Sequence, residues 1–169
     1  NLAKNTKLGR IILTEGYMDT ISLYQEGFDC AVASLGTALT ADHAKLLSRF
    51  TKEAIICYDA DGAGIQAANR AIPLLEKTGL KVRVLRVHGA KDPDEFLKKY
   101  GPDAFARLLD QSENYVDYNL RQLQDKYDLN DPVQKAEFAR AGAEVLSRLD
   151  SPVEREVYAG QLAQTTGVG

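Results

Sequence analysis

Tryptophan is absent from this 169-residue sequence, methionine occurs once, and only two cysteines are present. Cys30 and Cys57 stand far apart, each in an apolar stretch, with no CxxC and no Cys/His cluster. That excludes a disulfide-rich scaffold and a zinc site of the usual spacing, and it predicts two buried, reduced thiols. No apolar run approaches the roughly 20 residues that cross a bilayer, so no membrane-spanning helix is expected. The opening Asn1-Leu2-Ala3-Lys4-Asn5 has no basic stretch followed by an apolar one and no initiator methionine. The expectation is an excised piece of a longer cytoplasmic protein, without a signal peptide. Basic charge is not in excess, since the net charge is −3. A protein that merely coats nucleic acid is usually basic, whereas an acidic balance suits a site that gathers carboxylates around divalent cations. Neither repeats nor low-complexity segments are visible. With 44% hydrophobic and 27% charged residues, the chain suffices for one globular domain with a helical appendage.

What is present reads first as α/β. Ile11-Ile12-Leu13, Cys30-Ala31-Val32-Ala33 and Ile55-Ile56-Cys57-Tyr58 are short apolar runs that predict buried strands. Lys81–Val87 alternates and predicts a fourth strand with one solvated face. Between them, Met18, Ile21 and Tyr24 fall at helical spacing, and Gly27 is placed to end that helix. Thr40 is positioned to cap a helix carrying Leu46, Leu47 and Phe50. A helix over about 63–77 should be kinked or broken at Pro73. Strands separated by helices imply a mostly parallel sheet of about four strands. After Asp110 no strand is expected. Three helices are predicted there, roughly over 113–128, 132–149 and 152–165, the last two opened by Asp131-Pro132-Val133-Gln134 and Ser151-Pro152-Val153-Glu154. The division predicted is an α/β domain over 1–110 and a small antiparallel helical subdomain over 111–169.

Ligands of parallel α/β folds bind at the carboxyl ends of the strands. The predicted strand ends carry Glu15-Gly16-Tyr17-Met18-Asp19, then Asp59-Ala60-Asp61-Gly62-Ala63-Gly64, then Lys91-Asp92-Pro93-Asp94-Glu95. Two carboxylates about 4 Å apart repel by roughly 4 kcal/mol at an effective dielectric near 20. Collecting several at one edge is therefore costly unless a cation lies between them. Mg²⁺ prefers such hard oxygens and keeps waters that substrate phosphates can replace. Each piece also has a plainer reading. Asp92 alone reads better as a helix cap, and Asp59-Ala60-Asp61-Gly62 alone as a turn. The combination on one edge is more specific than any member.

These strings, with Ala33-Ser34-Leu35-Gly36-Thr37-Ala38-Leu39-Thr40, resemble the TOPRIM region of bacterial DnaG-type DNA primases. Topoisomerases, recombination mediators and some nucleases share the TOPRIM fold, but only through a lone Glu and a DxD. The resemblance implies that Asp59, Asp61, Asp92 and Asp94 coordinate Mg²⁺ or Mn²⁺. It implies that Glu15 is a metal ligand or proton-transfer group, with Glu15, Asp59 and Asp61 catalytic and Asp19 orienting the first motif from behind. The family's Phe-Asp-Gly-Asp appears as Tyr58-Asp59-Ala60-Asp61, which keeps both carboxylates.

The activity implied is synthesis of short RNA primers on single-stranded DNA from nucleoside triphosphates at the bacterial replication fork. The family's zinc-binding module and basic template-binding part lie outside these residues. Its replicative-helicase contact is expected through a further C-terminal domain, also outside them. The isolated chain is therefore expected to be a monomer that binds the metal but primes weakly or not at all. Two rivals remain: a topoisomerase or nuclease module that cleaves strands, and a non-catalytic module whose acids only cap helices. Tyr115, Tyr118 and Tyr127 lie in helical patterns and are expected to pack rather than react. His43 and His88 are expected to be ordinary polar residues, and Arg83 and Arg86 to lie on a solvated strand face.

Overall fold

In the computed structural model, residues 9–34 and 38–167 are described. The chain divides into two compact units, Asn1–Asn114 and Tyr115–Gly169. Among the described residues, no helix is long and apolar enough to cross a membrane.

The first unit is a five-stranded sheet of order β2-β1-β3-β4-β5. It runs β1 (Arg10–Thr14), α1 (Tyr17–Gln25), β2 (Ala31–Ala33), α2 (Ala41–Ser48), β3 (Glu53–Ile56), α3 (Gly62–Glu76), β4 (Lys81–Val84), α4 (Pro93–Tyr100), α5 (Pro102–Asp110) and β5 (Glu113–Asn114). The first four strands are parallel, with Leu13 opposite both Val32 and Ile56, and Ile56 opposite Val84. Ile12, Leu13, Ile55, Ile56 and Val82 are buried because helices cover the faces of a parallel sheet. Below one face, Phe105 is fully buried and receives Phe28 and Phe96 in edge-on contacts, with centroids 5.0 and 6.0 Å away. Cys30 and Cys57 are both buried and free, as expected.

Several expectations for this unit are corrected. A strand does follow Asp110: β5 pairs antiparallel with β4, Val84 opposite Glu113. Arg83 does not lie on a solvated face. Its Nε donates to the Ser112 carbonyl at 3.1 Å and its terminal nitrogen to the Asp110 carbonyl at 3.4 Å, tying the returning segment to β4. Helix α3 continues through Pro73 to Glu76. The carbonyl that Pro73 leaves without a partner belongs to exposed Asn69, where water can serve it. Helix α1 buries Asp19 and Leu23, while Met18, Ile21 and Tyr24 face outward with Tyr17. Helix α2 is capped by Thr40 as expected, and His43 completes the box by accepting from the Thr40 N–H at 3.4 Å.

The second unit holds α6 (Tyr115–Gln124), α7 (Pro132–Ser147) and α8 (Pro152–Thr166). Val116, Leu120, Phe138, Leu146, Leu149 and Leu162 form its core, with Tyr115 and Tyr127 packed against it. Gly142 permits close approach of α7 and α8, since a Cβ there would stand 2.8 Å from the Leu162 methyls. Ser151 caps α8 by accepting from the Glu154 N–H at 3.3 Å. Asp131 caps α7 as the sequence predicts, but without a reciprocal bond from Gln134 to its own N–H. Its carboxylate accepts from Val133, and Gln134 accepts from the Asp128 N–H rather than that of Asp131.

Candidate metal centre at the sheet rim

Strand order 2-1-3-4 places a topological switch point between β1 and β3, because the connection after β1 runs to β2 on one side and the connection after β3 runs to β4 on the other. Glu15 follows β1 directly, and Asp59 follows β3 across that crevice. The loop leaving β4 brings Asp92 and Asp94 to the same rim.

Backbone and side-chain bonds lock these loops together. Buried Thr14 donates to the Gly16 carbonyl at 3.1 Å and shares a 2.8 Å hydrogen bond with Thr20, which fixes the turn carrying Glu15. The Asp59 N–H donates to Glu15 Oε1 at 3.2 Å, joining the first and third loops. The Ala60 N–H donates to the Lys91 carbonyl at 3.3 Å, joining the third and fourth. Asp61 caps α3 by accepting from the Gly64 N–H at 2.8 Å. Gly64 is required here: a Cβ would stand 2.1 Å from the Asp59 carbonyl oxygen and 2.8 Å from Glu15 Oε1.

Asp92 caps α4 through the Glu95 N–H at 2.7 Å, and Lys91 Nζ lies 3.6 Å from its other oxygen. The plainer sequence reading of Asp92 thus describes one of its jobs. Asp94 is held on both oxygens, by the Ser22 hydroxyl and by Lys98 Nζ at 2.6 Å. Asp19 is only 7% exposed. It accepts from the Asp94 N–H at 3.3 Å, which connects α1 to the fourth loop.

The electrostatics separate the acids. Burial, then the charges of Glu15, Asp19, Asp92 and Asp61, push the Asp59 carboxyl up to about 6. Burial raises Asp19 as well. The hydrogen bonds from Lys98 and Ser22 hold Asp94 below the usual carboxylate range. Burial raises the phenol of Tyr58, on the Glu15 side, against a hydrogen bond from Ser34 that lowers it.

The sequence-selected residues Glu15, Asp59, Asp61, Asp92 and Asp94 therefore share one rim, with Asp19 beneath it. Among the described residues, no three Asp, Glu, His or Cys side chains stand close enough to form a ready group of metal ligands. The donor set is nonetheless all carboxylate. It suits a hard cation that keeps part of its water shell, and Asp59 is raised by burial first and by four neighbouring acids after it. Leu35, Gly36 and Thr37 of the loop after β2 lie outside the described residues. Sequence reasoning missed Ser22 and Lys98. Lys98 was readable as the i+4 partner of Asp94 on a helix, whereas Ser22 is 72 residues away from it in the chain.

A parallel sheet whose switch point sets a lone glutamate against an Asp-x-Asp loop defines a TOPRIM-type module. A family profile described as Toprim-like matches residues 12–97. A second, described as the DnaB-helicase binding domain of primase, matches residues 116–169. The DNA primase of Clostridium acetobutylicum is 40% identical over 169 residues, covering 99% of this chain and 28% of the relative. A DNA primase domain from Pseudomonas aeruginosa superposes with a TM-score of 0.80 at 34% identity, over 98% of this chain and 53% of that one. The RNA polymerase domain of Mycobacterium tuberculosis primase DnaG, crystallised with an overhanging double-stranded DNA oligomer, gives a TM-score of 0.81 at 27% identity, over 99% and 55%.

The chain belongs to the Toprim-like family, as a member of the bacterial DnaG-type DNA primases. It spans about half the length of these solved chains and just over a quarter of the Clostridium relative. The helicase-binding description falls on residues 116–169, whereas the sequence expectation placed helicase contact in a further C-terminal domain.

Proposed function

We propose that this chain supplies the metal-binding part of the catalytic centre of a primase that makes short RNA primers on single-stranded DNA. The observation that carries the reading is the convergence of Glu15, Asp59, Asp61, Asp92 and Asp94 on one rim, which leaves Asp59 electrostatically strained. These five residues would hold Mg²⁺ or Mn²⁺, and Asp19 would position the Asp94 loop. Bound there, divalent cations would offset the negative charge of the α-phosphate and ease deprotonation of the attacking 3′-hydroxyl. In the reaction a ribonucleotide 3′-hydroxyl attacks the α-phosphate of an incoming nucleoside triphosphate, and pyrophosphate leaves. Glu15, which accepts from the Asp59 amide, would take the hydroxyl proton. The cross-linked loops keep the carboxylates fixed, so little reorganisation is needed during the step.

A strand-cleaving module is less well supported, because the relatives and solved neighbours that the chain matches are DNA primases. The DNA in the mycobacterial neighbour and the helicase-binding profile support DNA and the replicative helicase as partners, the latter through 116–169. With a net charge of −3, the isolated chain is expected to hold template poorly and to prime weakly or not at all. Robust template-dependent synthesis by these residues alone would overturn that expectation. The test of the metal reading is calorimetric titration with Mn²⁺. Binding by the wild type that is lost when Asp59→Asn and Asp61→Asn are combined supports it. Absence of binding, or unchanged binding in the double variant, refutes it.

A further inference from the structure

Every rim carboxylate except that of Asp59 is already engaged. Glu15 accepts from the Asp59 amide, Asp61 and Asp92 cap helices, and Asp94 is gripped on both oxygens. Two partners carry a full positive charge, and the pair at Asp94 is the closer: Lys98 Nζ stands 2.6 Å from its Oδ2, against 3.6 Å for Lys91 Nζ and Asp92. The two side chains differ in freedom. Asp94 is 20% exposed and Ser22 fixes its other oxygen, whereas Lys98 is 72% exposed. The ammonium can therefore swing into solvent while the carboxylate stays on the rim. Its neighbour Lys99 points elsewhere, donating to the Gly89 carbonyl at 2.9 Å.

We propose that Lys98 is a displaceable counter-ion of the metal centre: its ammonium neutralises Asp94 while the rim is metal-free, and an arriving divalent cation expels it. The proposal rests on the metal reading of the rim and adds a regulatory element to it. Seated on Asp94, Lys98 holds one carboxylate oxygen while Ser22 holds the other, and Ser22 keeps the side chain in place after the exchange. The cost is competition. A divalent cation must displace a like charge before it reaches Asp94, so metal affinity is lower than the carboxylates alone would give. An ordinary surface ion pair within a helix would leave metal affinity untouched.

The test is Mn²⁺ titration of the whole 169-residue chain at fixed ionic strength, with free Mn²⁺ followed by electron paramagnetic resonance. Lys98→Gln is expected to bind about threefold tighter than wild type, the scale of an exposed ion pair. Lys98→Arg, which keeps the charge, and Lys99→Gln, which removes a charge one residue away, should both match wild type. Unchanged affinity in Lys98→Gln with normal binding by wild type overturns the counter-ion and leaves the metal site standing. Equal tightening in Lys99→Gln also overturns it, because bulk charge would then be the cause. Absence of binding in every chain removes the metal reading and the counter-ion together.

Discussion

Replacing Asp59 by Asn should stabilise the metal-free fold near neutral pH, and the gain should fade in acid. The carboxyl rises from 3.8 to about 6 because burial and surrounding acids disfavour its charge. In a dry site that rise would be worth about 3 kcal/mol at 1.36 kcal/mol per pH unit. Asp59 is only partly buried, so solvent screening reduces the expected gain to about 1 kcal/mol. The sign follows from linkage. A group whose folded pKa exceeds its unfolded value favours the fold when protonated, fully below 3.8, and that contribution is lost as pH rises through about 6. The advantage of Asp59→Asn over wild type should thus be near zero at pH 4 and complete by about pH 7. Because the chain has two compact units, global melting would mix their signals. Amide hydrogen exchange at Ile55 and Ile56 of β3, in EDTA, reports the first unit alone. Equal protection in both proteins at pH 7, or an advantage that grows toward acid, would refute the electrostatic account.

Gly64→Ala should cost about 2–3 kcal/mol in the same exchange assay, because its new methyl meets the Asp59 carbonyl oxygen at 2.1 Å and backbone cannot yield as a side chain can. Wild-type protection in that variant would show that the close approach is not strained. Arg83→Ala removes the donors to Ser112 and Asp110. It should cost about 1–2 kcal/mol locally, seen as roughly tenfold faster exchange across residues 112–114. A uniform effect on the whole sheet would argue against Arg83 as the specific tether of β5.

Three of the four parallel strands were legible as short, mostly apolar runs bounded by turn residues, the mark of strands buried on both faces, and β4 was legible by its alternation. Thr40, Asp92 and Ser151 announced their helices because capping is local chemistry, complete within a few residues. The acidic rim could be read once the strands were placed, since parallel strands deliver their carboxyl ends to one side. Other features depend on partners distant in the chain. Strand β5 has two residues, too few for any periodicity, and exists by virtue of Arg83 and β4. The outward turn of Met18, Ile21 and Tyr24 reversed the plain reading of α1. The helix instead buries Asp19 and Leu23, one turn apart, and Asp19 is retained inside by its bond to the Asp94 amide. The grip of Ser22 on Asp94 had no local signature at all.

The amide of residue 60, reaching the Lys91 oxygen, works like a stitch between two hems. It draws on main-chain atoms, which every amino acid except proline possesses. The side chain at that position is exposed and takes no part. Alanine can therefore stand where the wider family carries glycine, and the spacing between the acid-bearing turns is held by peptide groups that mutation rarely reaches.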